Sequence, residues 1–149
     1  MPLNSNTLRD GLRKYVDPDF SGYVGFPADA AGVGTAWASA VRGYFEEVTN
    51  PPGITSVQQA SAEAAFAAIF QPTFSGADAL ALLNSALTAY AAVLVPPTGA
   101  TVAPPGSPTI TLSLTSDGNV AATTIATAID TWARTGTYTP PGGAPTPWA

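Results

Sequence analysis

The sequence predicts a mainly α fold: a compact bundle of helical hairpins, about five helices, with one short β-strand near 109–115 and extended Pro-rich segments. Three observations predict it. Apolar residues recur three and four apart in five separate stretches. Pro and Gly, 15 and 14 of 149 residues, cluster between those stretches rather than inside them. One window only, Thr109–Thr115, alternates apolar and polar residues with the period of a strand.

The first helical stretch carries Leu8, Leu12, Tyr15 and Val16 on one face, with Thr7-x-x-Asp10 as its capping box, and stops at Asp17-Pro18. The second runs from about Pro27 to Val48. Its stripe is Val33, Trp37, Val41, Phe45 and Val48, Pro27 suits the first helical position, and Asn50-Pro51-Pro52-Gly53 ends it. Gly32, Gly34 and Gly43 weaken this helix but let a neighbour approach closely. The third begins near Thr55, where Thr55-x-x-Gln58 and Ser56-x-x-Gln59 both fit the capping box, and ends before Pro72. The fourth has Ser75-x-x-Asp78 as its cap and Leu80, Leu83, Leu87, Tyr90 and Leu94 as its stripe, until Pro96-Pro97. Asp117 caps a last helix whose face is Val120, Ile125, Ile129 and Trp132.

Similar endings, aromatic residues followed by Pro-Pro and Gly, suggest a repeat of hairpins at 7–50, 55–97 and 109–138, joined by a Pro-rich linker at 96–108. Residues 1–138 then form a single helical domain, and 139–149 an extended C-terminal arm. A lone strand leaves backbone groups unpaired on both edges. The 109–115 strand therefore pairs either with Thr135–Thr139 or with another chain. Candidate partner-binding residues are Ile110, Leu112 and Leu114 on that strand, with Tyr138 and Trp148 in the terminal segment. A tryptophan closing a Pro-rich stretch is rewarded for docking by roughly 200 Å² of buried surface.

Composition excludes several chemistries. There is no Cys and no His, which removes thiol nucleophiles, Cys/His zinc sites and Ser-His-Asp or Cys-His machinery. Charged residues are 10% of the chain, the formal charge is −5, and no Lys or Arg lies between Arg42 and Arg134. A nucleic-acid partner is not expected, since neutralising phosphates takes cations. The apolar stretch from Ala79 to Val95 contains Asn84, Ser85 and Thr88 and lacks flanking cations, so it reads as a core helix and not a membrane span. The N-terminus lacks the basic and apolar regions of a signal peptide.

Asp17-Pro18-Asp19-Phe20-Ser21-Gly22-Tyr23-Val24 matches a calcium loop at positions 1, 3, 5, 6 and 8 but has Ala28 where the bidentate Glu belongs. A Pro/Gly loop with solvated aspartates is the favoured reading, and no metal or cofactor is expected. Glu46 and Glu47 point about 100° apart on a helix and cannot face each other as an acid–base pair. Asp130 and Arg134 are spaced for a helical ion pair. No enzymatic activity is expected.

The opening Met1-Pro2-Leu3-Asn4-Ser5-Asn6-Thr7-Leu8, the segment Ala36-Trp37-Ala38-Ser39-Ala40 and the Pro-Pro-terminated helices resemble small proteins encoded in tailed-phage structural gene clusters. The resemblance implies a virion component, of neck, head–tail connector or tail-accessory type, held among other virion proteins in a symmetric multi-copy assembly. Alternatives are a capsid decoration protein and a soluble helical adaptor or chaperone-like binding module. Low charge suits a subunit covered by neighbours better than a free monomer.

Overall fold

The computed structural model describes residues 2–69, 76–94, 101–108, 110 and 117–149, with backbone only at 30, 76–80 and 101. It is a mainly helical fold of five helices and a small antiparallel sheet. Helix α1 spans Ser5–Val16 and buries Leu8 and Leu12. Its cap is Asn4, whose side chain accepts from the Asn6 amide. The expected Thr7–Asp10 box is not used: Thr7 lies inside the first turn, and its hydroxyl donates to Glu47 Oε1 at 2.9 Å. The helix ends as expected at Asp17-Pro18. Pro18 has no N–H to offer the Lys14 carbonyl, and Val24 N donates to it instead at 2.7 Å.

Helix α2 covers Ala30–Phe45, shorter at both ends than the stripe suggests. Asp29 starts it by accepting from Gly32 N at 2.7 Å, and Glu46 closes it. Helix α3, Ser56–Ile69, opens with the expected box: Thr55 N–H donates to Gln58 Oε1 (2.9 Å) and Gln58 N–H to Thr55 Oγ1 (3.2 Å). Helix α4, Gly76–Val93, buries Leu83, Ala86, Leu87, Tyr90 and Ala91, with Leu94 just beyond. Helix α5, Gly118–Ala133, is capped by Asp117, which accepts from Asn119 N and Val120 N at 2.9 and 3.0 Å. The expected Ser75 cap, and Phe70 and Phe74, lie outside the described residues.

The helices pack in the order α5–α1–α2–α3–α4. Each is antiparallel to its neighbour, as the pairings at both ends show. Arg134 donates to the Leu3 carbonyl at one end of α5–α1, while Gly118 meets the Val16 carbonyl at the other. Arg42 pairs with Glu63 between α2 and α3, and Tyr90 OH donates to Gln59 Oε1 between α4 and α3. Four antiparallel steps leave α4 and α5 parallel. The hairpins expected at 7–50 and 55–97 are therefore α1–α2 and α3–α4, whereas α5 lies on α1 and has no hairpin partner of its own.

Helix α2 is the centre of the bundle. Tyr44 reaches α5, its hydroxyl donating to Asp130 Oδ1 at 2.6 Å. Phe45 stacks on Tyr90 of α4, centroids 5.0 Å apart. Small residues bring the helices close: a Cβ on Gly11 of α1 would sit 3.1 Å from the Ala40 Cβ of α2.

The expected Pro-rich linker and extended C-terminal arm both contribute strands to the sheet. Strand β1, Thr101–Ala103, lies within the supposed linker 96–108 and pairs with β2, Thr137–Thr139. Strand β3, Thr146–Pro147, adds to the other side of β2. The 135–139 segment is thus paired within the chain, but with a different strand from the one the alternation marks. Of that one, Ile110 is buried in the core and has no strand assignment, while 109 and 111–116 lie outside the described residues. The C-terminal arm folds back because it carries the plug of the core. Trp148 is 0% exposed, packs edge-on to Phe45, and rests where a Cβ on Gly136 would fall 2.9 Å from its ring. Backbone bonds hold it: Trp148 N–H to Gly136 O, Ala149 N–H to Asn50 O, and Thr49 N–H to Ala149 O.

Candidate protein-contact surface

The loop between α1 and α2 is built by the residues that mark a partial calcium motif, and they do something else. Asp17 is buried. Its Oδ2 takes Arg13 Nε at 2.7 Å and its Oδ1 takes the Asp19 amide at 3.1 Å, so the carboxylate closes the helix end. Arg13 also lies over the Phe20 ring, 4.6 Å from its centroid, a cation–π contact that fixes the first half of the loop. Among the described residues no cluster of acidic side chains is arranged to hold a metal ion. Tyr23 N–H bonds to the Phe20 carbonyl and Val24 N–H to that of Lys14. Gly25 then takes φ +95°, which glycine adopts without strain, and turns the chain outward.

The result is an apolar rim on one end of the bundle. Val24 and Phe26 are 70% and 68% exposed, and Tyr23 in the same loop and Val16 at the end of α1 are exposed as well. Val120 was expected in the core face of α5 but is exposed: nine residues before the buried Ile129, it points to the opposite side of the helix. Between these elements opens a half-open apolar cleft of about 70 Å³, lined by Leu12, Val16, Phe26, Val33, Trp37 and Ile125. Its size suits a single apolar side chain. Adjoining it, across the junction where Gly118 meets the Val16 carbonyl, is a polar hollow lined by Arg13, Asp17, Asp19 and Asp117. Only a glycine permits that junction, because any Cβ at 118 would overlap the carbonyl.

The residues singled out by sequence lie elsewhere. Ile110 and Trp148 are core, and Tyr138 sits half-buried in the middle strand, paired with Val102 on one side and Thr146 on the other. Ile110 and Trp148 thus serve the chain's own core, while Tyr138 keeps part of its side chain at the surface. Leu112 and Leu114 lie outside the described residues. The surface at Val24 and Phe26 was missed. The available signal was two large apolar residues flanking a glycine in a loop too short to bury them.

Other polar side chains are committed to structure. Asp130 receives Tyr44 OH on one oxygen and Arg134 on the other (2.9 Å), and Arg134 also reaches the Leu3 carbonyl. Burial, reinforced by the hydrogen bond to Asp130, pushes the Tyr44 phenol well above its usual range; burial does the same at Tyr90. Arg42 bridges Glu46 and Glu63, and Arg9 pairs with Asp10. No described helix is long and apolar enough to cross a membrane. Compared with family models, curated proteins and solved structures, the chain matches none.

Proposed function

We propose that this chain is a non-enzymatic structural subunit of a tailed-phage virion, of neck, head–tail connector or tail-accessory type, and that it works by being held against other virion proteins. The observation that carries the contact role is the open apolar cleft lined by the exposed Val16 and Phe26, with Val24 exposed in the same loop, in a chain with only 10% charged residues. Contiguous exposed apolar surface of this kind marks protein interaction sites. The virion setting rests on the resemblance of the N-terminal segment and of Ala36–Ala40 to phage structural proteins.

The contact surface on this reading is the α1–α2 loop with the exposed ends of α1 and α5, in place of the C-terminal arm. A soluble adaptor is the second reading, favoured by the size of the cleft, which fits one side chain of an incoming segment. Quantitative mass spectrometry of purified particles separates the two. A virion subunit is present in fixed copy number after density-gradient purification and salt washing. Its absence from such particles refutes the virion role.

A further inference from the structure

We propose that the cleft at the α1–α2 loop receives an apolar side chain from a basic segment of a different protein, with the segment's cation lying in the adjoining acidic hollow. This rests on the contact role proposed above and adds the chemistry of the partner. The first argument is shape: an apolar opening for one side chain, lined by Val16, Phe26, Trp37 and Ile125, with Phe26 itself exposed and Val24 exposed two residues before it in the loop. Such aromatic-rimmed holes are where interface energy concentrates.

The second argument is charge. The hollow beside the cleft carries three carboxylates, Asp17, Asp19 and Asp117, against one cation, Arg13, already bonded to Asp17. Outside the hollow, the exposed Asp29 at the start of α2 and the exposed Lys14 near the end of α1 carry opposite charges and leave that balance unchanged. A cap aspartate keeps its charge while it caps. An incoming lysine or arginine placed beside an entering apolar residue meets net negative charge at short range. A second copy of this chain, docked face to face, would set the same carboxylates against each other, and like charges across an interface cost affinity. Nucleic acid and anionic lipid surfaces are repelled by the same groups. The occupant that satisfies both the apolar hole and the acidic hollow is a basic, apolar protein segment.

The test uses the intact protein, ¹⁵N-labelled, and two probes: a twelve-residue amphipathic peptide of Leu and Lys, and the same peptide with every Lys replaced by Glu. The Lys peptide is expected to bind, moving the Trp37 indole N–H resonance and the amides of 16–29, and the Glu peptide to bind at least tenfold more weakly. Phe26→Ala and Val24→Ser, at exposed positions where folding is retained, should each weaken the Lys peptide, Phe26→Ala by about tenfold. The double variant Asp19→Asn/Asp117→Asn keeps an able N-cap at 117 and should lose most of the preference for Lys over Glu. Glu46→Gln, which removes a charge at the opposite end of α2, should leave binding unchanged.

Equal binding of the two peptides, no binding at millimolar peptide, shifts confined to another face, or an equal loss in Glu46→Gln overturns the inference. So does a dimer through this face in solution. Particles that contain the chain but show no such peptide selectivity leave the virion reading standing without this partner. Selectivity in a protein absent from particles does the reverse.

Discussion

Trp148 is the sharpest test of how the fold is held, because the plug comes from the segment that the sequence marks as an extended C-terminal arm. Trp148→Ala removes the largest fully buried side chain, together with its edge contact to Phe45. Large-to-Ala changes of an aromatic in a core cost about 3–5 kcal/mol. Part of that is returned. The Trp148 indole N–H is buried without a hydrogen-bond partner, a state that itself costs on the order of 1 kcal/mol. A net loss of about 3 kcal/mol follows, a large share of the ~5–15 kcal/mol that holds a domain together. For a chain of this size that corresponds to a Tm lower by roughly 10 °C. Trp148→Phe separates the two contributions. The smaller ring leaves a void, but the unpaired N–H disappears, and the two effects are each about 1 kcal/mol and opposite in sign. Phe should therefore be nearly neutral where Ala is severe. Urea unfolding followed by far-UV circular dichroism gives both values. A Trp148→Ala protein within about 2 °C of wild type would mean that the terminal segment does not hold the core, and the reasoning would fail.

Other outcomes follow from the same packing. Gly118→Ala should destabilise by more than about 2 kcal/mol, since its Cβ meets backbone at Val16 rather than a movable side chain. Gly11→Ala, against Ala40, should cost less, because helix propensity returns up to about 1 kcal/mol; thermal melts rank the pair. Gln59→Leu strands the Tyr90 hydroxyl and takes from the Phe45 carbonyl one of its two donors, leaving it the Val48 N–H. A loss of about 2–4 kcal/mol is expected, and Tyr90→Phe added to it should cost at least about 1 kcal/mol less than the sum of the single changes. Tyr44 and Tyr90 have phenols raised by burial. The neutral form is favoured in the folded state, so this stability is complete below the unfolded phenol value near 10 and is lost as pH rises beyond it. In an alkaline titration read at 295 nm, the last two tyrosinates should appear together with unfolding.

Local signals carried most of the helical architecture. The Thr55–Gln58 box and the Asp117 cap were legible because each is settled within four residues. The end of α1 at Pro18 follows from a missing N–H, whereas α2 stops at Phe45, ahead of the expected stop at Asn50-Pro51. The Asn4 cap was less legible, since Thr7-x-x-Asp10 is an equally good local pattern. What decides between them is Glu47, forty residues away, which draws the Thr7 hydroxyl into the α1–α2 contact. Strand β1 hid among prolines because its partner, 137–139, lies beyond an entire helix. The role of Trp148 depends on a pocket assembled from Phe45, Pro105 and Gly136, which no window of sequence brings together. The contact surface was hidden for the opposite reason. Val24 and Phe26 lie in a loop, where no period marks which side chains are covered, and Val16 is exposed although it closes the regular stripe of α1.

The central claim is that this chain acts through the α1–α2 loop surface while its terminal segment serves its own core. Hydrogen exchange, measured by mass spectrometry on the free protein and on purified particles, addresses both halves at once. Exchange in 16–29 should slow at least tenfold in the particle, while 137–149, already protected in the free chain, should stay the same. Unchanged exchange in 16–29, with protection gained only in 137–149, would contradict it.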